Sequence, residues 1–199
     1  MDPVATLHCT MRDARARYFE EASLGQDGGY SARWVRLKLG PISLAFPNTA
    51  SRVRAVQYHD LHHVLTGYAT DWVGECEIGA WEIASSCRGF VAAWILNLFA
   101  FSTGCLFAPA RTFRAFVRGS SESNLYAHED LGAVLDRELE EVRNELGLSS
   151  DTRIPSAADR LAFLAWSLVS IVHSTMWFFA LIGLPLILAA ACLFPEGSF

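Results

Sequence analysis

Tyr58-His59-Asp60-Leu61-His62-His63, followed downstream by Glu75, is the stretch on which the reading turns. His59 and His63 are four residues apart. On an α-helix that is about one turn, so the two imidazoles lie roughly 40° apart on one face. Asp60 sits on the flank of that face, roughly 60° beyond His63, and His62 points to the other side of His59. Eleven residues separate His63 from Glu75. Among them Gly67 has the character of a helix C-cap, and Thr70 or Asp71 that of an N-cap. The spacing predicts a helix, a stop and a restart, with Glu75 in the opening turns of a second helix folded back on the first. Two imidazoles and one or two carboxylates can then converge, a donor set suited to zinc or another divalent first-row metal.

Histidines at this spacing also occur on ordinary helices. The acidic partner, the helix-turn-helix setting and the inward face shared with Ala55 and Val56 favour the metal. Histidines and carboxylates pointing inward need partners, because an unpaired buried charge is costly.

The same residues resemble the signature of the coenzyme Q (ubiquinone) biosynthesis protein four family, which reads His59-Asp60-x-x-His63, eleven residues, Glu75. The flanks agree as well: Arg52 and Arg54 before the motif, Leu65-Thr66-Gly67 and Thr70-Asp71 after it, then Gly74-Glu75. The resemblance covers most of residues 30–148. It implies a mostly helical, membrane-associated protein that holds a divalent ion, usually zinc, through His59, Asp60, His63 and Glu75. It also implies a part in removing the ring carboxylate from a prenylated hydroxybenzoate during ubiquinone assembly. Asp60 would either coordinate directly or orient a histidine from behind. Iron, manganese and magnesium are the alternatives to zinc.

Composition points the same way. Of 199 residues, 52% are hydrophobic and 19% charged. With a mean hydropathy of +0.24, the chain is too apolar for an ordinary soluble enzyme. Net charge is −5, and no basic run or nucleic-acid motif appears, so nucleic acid is discounted. The five cysteines, Cys9, Cys76, Cys87, Cys105 and Cys192, form no CxxC pair and no disulfide framework, which fits a reducing compartment. The opening Met1-Asp-Pro-Val does not read as a signal peptide.

In chain order, Asp2-Pro3 predicts the start of a helix with Val4, Leu7, Met11, Ala14 and Tyr18 on one face, ending before Gly25. Arg12, Arg15 and Arg17 read as its solvated side. Val35, Leu37 and Leu39 alternate with Arg36 and Lys38 as a strand does, Gly40-Pro41 turns the chain, and Ile42 to Phe46 returns as a short β-hairpin. Pro47-Asn48-Thr49 then caps the first motif helix, residues 49–66, and the second runs from about Asp71 to Ser86. Along the latter, Glu75, Gly79 and Glu82 share a side. Gly79 would let the two motif helices approach closely. Glu82 is read first as a solvated acid, with a proton-transfer or supporting role at the metal as the alternative. Glu77 reads as surface, and Cys76 projects away from Glu75.

Phe90 to Ala108 is 19 residues without charge. It fits a core helix, the wall of a tunnel for a prenyl tail, or a membrane segment; the resemblance favours the first two. Arg111, Arg114 and Arg118 follow as a basic edge that fits lipid headgroups, a substrate carboxylate or solvent. Leu131, Val134, Leu135, Leu139, Val142 and Leu146 mark one amphipathic helix that Gly147 stops. Leu161 to Phe194 is 34 residues with no charged side chain. At ~1.5 Å per residue it is about 51 Å as a single helix, longer than a ~30 Å hydrocarbon core, so a tilted span ending near Pro185 or a kink there is expected. This tail departs from the family pattern. Arg153 and Arg160 precede it and only Glu196 follows, which places the motif domain on the cytoplasmic side.

The expected fold is mainly α: a helical metal- and lipid-binding domain over residues 1–150 with a short β-hairpin, then a transmembrane anchor over residues 157–195. The expected function is metal-dependent decarboxylation, oxidative or not, of a prenylated hydroxybenzoate at the membrane. Two other classes compete. One is a non-catalytic lipid-binding scaffold for other quinone-biosynthesis enzymes; the other is a metal-dependent lipid or isoprenoid hydrolase with Glu75 activating a water. The expected partners are a prenylated quinone precursor or other lipid, the membrane and those enzymes, and a homo-oligomer is compatible with the sequence.

Overall fold

The computed structural model describes residues 9–39, 42–127, 130–148 and 153–183. Helix α1, Met11–Glu21, begins where Thr10 closes a capping box with Asp13. The predicted start at Asp2-Pro3 lies outside the described residues, and the described helix begins only at Met11. Strands β1, Trp34–Leu39, and β2, Ile42–Pro47, pair antiparallel with Trp34 opposite Pro47 and Leu39 opposite Ile42. The hairpin is thus as read from the alternation.

The two motif helices also fall where the local signals put them. Helix α2, Ala50–Thr66, is capped by the Thr49 hydroxyl on the Arg52 amide and ends at Gly67, whose φ of 76° is left-handed. Helix α3, Trp72–Ser85, is capped by Asp71, whose carboxylate accepts the Gly74 amide. Helix α4, Val91–Phe107, is followed at once by α5, Pro109–Gly119, with proline in its first turn.

The single amphipathic helix expected over residues 131–146 is instead two, α6 Leu131–Leu135 and α7 Leu139–Glu145. The break has a tertiary cause. The Met11 amide donates to the Arg137 carbonyl and the Leu139 amide to the Cys9 carbonyl, both at 2.9 Å. Thr10 and Glu138 form a β-bridge between them. The backbone at residues 137–139 therefore pairs with the segment before α1 and is withdrawn from the helix.

Two apolar cores result. Met11, Tyr58, Leu61, Leu65, Leu125, Val134 and Val142 make one from α1, α2, the short turn Leu125–Ala127, α6 and α7. Trp81, Leu98, Phe101, Ala115 and Phe116 make the other from α3, α4 and α5, with Phe163 and Trp166 of the last helix packed against it. Trp94 touches both. Gly79 does admit a close neighbour, but that neighbour is α4, not the other motif helix. A Cβ at Gly79 would lie 2.9 Å from the Ala100 Cβ.

Helix α8, Ala157–Phe178, starts at a Ser156–Asp159 capping box and runs on as a π-turn through Gly183. Within Ala157–Leu181 an 18-residue stretch has a mean hydropathy of 1.5, and the helix is long and apolar enough to cross a membrane. Most of that surface is bare: Leu161, Leu164, Leu168 and Met176 are each more than 60% exposed. The kink or end expected at Pro185 lies outside the described residues.

Candidate metal centre

Helices α2 and α3 bring His59, His63 and Glu75 into one group. The His59 and His63 Nε2 atoms are 3.2 Å apart. Glu75 places Oε2 at 3.3 Å from His59 Nε2 and Oε1 at 3.3 Å from His63 Nε2. With one donor atom taken from each residue, all three lie within 4.8 Å of one another, close enough to reach a single ion. This cluster can hold a metal ion.

The outer nitrogens set the tautomers. His63 Nδ1 lies 3.0 Å from the Tyr68 carbonyl, which can only accept, so the Nδ1 proton is donated there and Nε2 keeps its lone pair. His59 Nδ1 lies 2.9 Å from Glu82 Oε1 and donates to it in the same way. Two imidazole lone pairs and a carboxylate then face one point. That point calls for a cation, either a metal ion or a proton shared among them. Backing histidine ligands with a carboxylate and a carbonyl is the usual device for fixing such rings.

Glu82 is the residue most misjudged from the sequence. It is fully buried, not solvated. Its Oε1 accepts hydrogen bonds from His59 Nδ1 and, at 2.6 Å, from His62 Nδ1. Its Oε2 takes the Tyr126 hydroxyl at 2.8 Å and the Asn97 amide. His62 is equally buried, and its Nε2 accepts the Leu125 backbone amide at 3.0 Å. A backbone N–H can only donate, so His62 is neutral with its proton on Nδ1. His62 thus buttresses Glu82 while His59, one turn away across the helix, faces the metal position. The sequence held one signal of this, the position of Glu82 two turns beyond Glu75 on the same side of α3. It held none of the arrival of α4 over Gly79, which seals Glu82 from water.

The electrostatics follow from these contacts. Burial disfavours a charged His59, but Glu82 and then Glu75 outweigh it and raise its pKa well above 6.5. Burial would raise Glu75, yet the neighbouring His59 and His63 hold it down at about 2. Burial lowers the pKa of His62, despite Glu82. Glu82 is held well below the ordinary carboxylate range, the cost of its burial being offset by His59 and then His62.

Asp60 lies outside the cluster of three. Its Oδ2 accepts the Tyr30 hydroxyl at 2.5 Å. Burial raises its pKa, with His59 pulling the other way. Tyr18 of α1 stacks on His63, ring centroids 5.7 Å apart. Neither tyrosine was identifiable from the sequence. Cys76 points elsewhere, as expected, and burial pushes its thiol up to about 11. The four described cysteines are all free.

Glu77, read as surface, is buried against Arg111, which grips it with two hydrogen bonds of 2.9 and 2.5 Å. Arg118 binds Glu122 at 3.0 Å and the Thr66 carbonyl at 3.1 Å. Two of the three arginines of the expected basic edge are therefore engaged within the fold, and Arg114 is exposed.

A cleft of about 460 Å³ opens beside the cluster, walled by Arg17, Tyr18 and Glu21 of α1, by His63, and by residues 67–70. That is the size range of small-molecule sites. Glu75 keeps 44% of its side chain exposed, so the cluster is reachable from solvent. Comparison with protein-family models, with curated proteins and with solved structures finds no match for this chain.

Proposed function

We propose that the protein is a metal-dependent enzyme of ubiquinone assembly that removes the ring carboxylate of a prenylated hydroxybenzoate at a membrane surface. The supporting observation is the cluster of His59, His63 and Glu75, whose donor atoms gather within 4.8 Å of one another, on the motif that resembles that family. Zinc is the ion the donor set suits best. Bound there, it would act as a Lewis acid on the substrate's carboxylate or phenolic oxygen. His59, His63 and Glu75 hold the position, and Glu82 and the Tyr68 carbonyl fix the two rings. Asp60, beside the histidines, adds negative charge near the ion. Loss of carbon dioxide leaves an electron pair on the ring carbon, which takes a proton. If hydroxylation accompanies the loss, dioxygen and a redox-active ion such as iron or manganese are required. Helix α8 anchors the protein where prenylated substrates dissolve, with the motif domain on the cytoplasmic side.

The lipid-binding scaffold remains the rival, and an exposed Glu75 with a cleft of small-molecule size beside His63 argues against it. A hydrolase would need Glu75 free as a base, whereas here Glu75 supplies the third donor. The test is turnover by the zinc-, iron- or manganese-loaded protein in detergent, given a short-chain prenylated hydroxybenzoate and followed by release of carbon dioxide. Turnover lost in Glu75→Ala is the expected result. A metal-loaded, folded protein inert with every one of these ions would overturn the enzyme reading and leave the scaffold.

A further inference from the structure

Helix α4 is bound to α8 along much of its length. Trp94 stacks on Trp166 with centroids 5.3 Å apart and planes 14° from parallel. Phe101 meets Phe163 at 5.3 Å, and Phe99 meets His173 at 4.8 Å. Two polar contacts join the helices, Ser102 to Ser174 at 2.7 Å and Cys105 to Ser167 at 3.4 Å. Small hydroxyl-bearing residues that satisfy one another across a helix pair are what an apolar medium demands.

A bilayer crossing takes ~20 helical residues. Any such span cut from Ala157–Leu181 contains Trp166, Ser167, His173 and Ser174. Their partners on α4 must then lie at hydrocarbon depth too. Sequence and surface agree with that placement. Between Arg88 and Arg111 there is no charged side chain. On the outer side of α4, Leu96, Leu106 and Phe107 are 38%, 69% and 71% exposed, and Phe107 continues into an exposed Trp72 at 6.0 Å. In water this would be a large bare apolar face; beside a span it continues the same lipid-facing surface.

We infer that α4 enters the bilayer together with α8 and presents Leu96, Leu106 and Phe107 to the acyl chains. The motif domain is therefore half-sunk in the membrane, not tethered above it. The inference rests on α8 crossing the bilayer, as proposed above. It has a consequence for the site. On its inner face α4 carries Asn97, which donates to Glu82, the residue that orients His59. The metal centre thus stands one helix behind lipid, where a prenylated substrate arrives without crossing water.

The full-length protein is reconstituted in phosphatidylcholine vesicles that carry a diazirine on the acyl chain. A parallel sample is treated with a water-soluble diazirine, and adducts are mapped by mass spectrometry. The expected result is lipid-derived label on Leu96, Leu106 and Phe107 at a level comparable to Leu164 and Leu168, and little aqueous label there. Lipid label on α8 with aqueous label on α4 would overturn this inference while leaving the anchor intact. An α4 face protected from both reagents would overturn it in favour of a second copy of the chain covering that face. Absence of lipid label on α8 itself would overturn the anchor and this inference together.

Discussion

At Glu82 the protein gathers five polar side chains, four of them buried, and along α8 it leaves a run of leucines bare. In the first place a fully buried carboxylate accepts hydrogen bonds from His59, His62, Asn97 and Tyr126. In the second, Leu161, Leu164 and Leu168 have no described cover. Each would be unfavourable in an ordinary soluble domain. A buried charge is tolerated only when fully paired, and a wide apolar surface only when something apolar meets it. The difference teaches that the two faces of α4 are unlike: its inner face meets a charged node, and its outer face is the one inferred above to meet lipid.

The largest effect should come from breaking the node. Glu82→Ala leaves His59, His62, Asn97 and Tyr126 without their acceptor, and losing one partner of a buried ionic network costs about 3–5 kcal/mol. Denaturant unfolding in detergent should show that loss, together with loss of metal. Glu82→Gln, which keeps an acceptor oxygen, should lose less. Equal stability of Glu82→Ala and wild type would mean the node is not built as described.

Next comes the contact that closes the node. Gly79→Val pushes against Ala100 and should cost about 1–3 kcal/mol by overpacking the α3–α4 seam. A thermal melt checks it, and an unchanged midpoint would mean α4 does not lie that close.

The pH response tests the charge pattern itself. Because the folded pKa of His59 is raised, the stability it contributes to the metal-free protein is full below about pH 6.5 and is lost as pH rises through the folded value. Glu75, depressed to about 2, contributes above its ordinary carboxylate value and loses that contribution as pH falls toward 2. Metal needs the His59 Nε2 lone pair, so its affinity should rise about tenfold per pH unit above 6.5, equivalent to about 1.4 kcal/mol per unit, until His59 has titrated. Melting with and without chelator at pH 6 and pH 8 should show the metal-dependent gap widening with pH. A gap independent of pH would place no competing proton on His59.

The smallest effect belongs to the apolar face. Leu168→Ser should change unfolding in detergent by no more than about 0.5 kcal/mol, since nothing described packs on that side chain. A loss of several kcal/mol would reveal a protein neighbour where lipid is expected.

What the sequence made legible was local. Thr49, Gly67 and Asp71 bracket α2 and α3 by short-range hydrogen bonds, and with those brackets set, the spacing of His59, His63 and Glu75 follows from helix geometry. Long charge-free runs made α4 and α8 visible in the same way. What stayed hidden depended on distant chain. Helix 131–146 breaks because residues 9–11 pair with its backbone, and no glycine or proline marks the place. Glu82 changed from a solvated acid to the keystone of the site because α4 and Tyr126 close over it. Arg111 and Arg118 left the expected basic edge because Glu77 and Glu122 claim them. Residue type gave the right candidates at these positions, but packing assigned their roles.

The most direct test is metal content by elemental mass spectrometry of the detergent-purified protein, with wild type beside His63→Ala and Glu75→Ala, each checked for folding by circular dichroism. Stoichiometric metal in wild type, lost in both folded variants, is the result expected when one donor atom each from His59, His63 and Glu75 gathers within 4.8 Å of the others. Metal absent from wild type even after reconstitution, or retained in both variants, would contradict it.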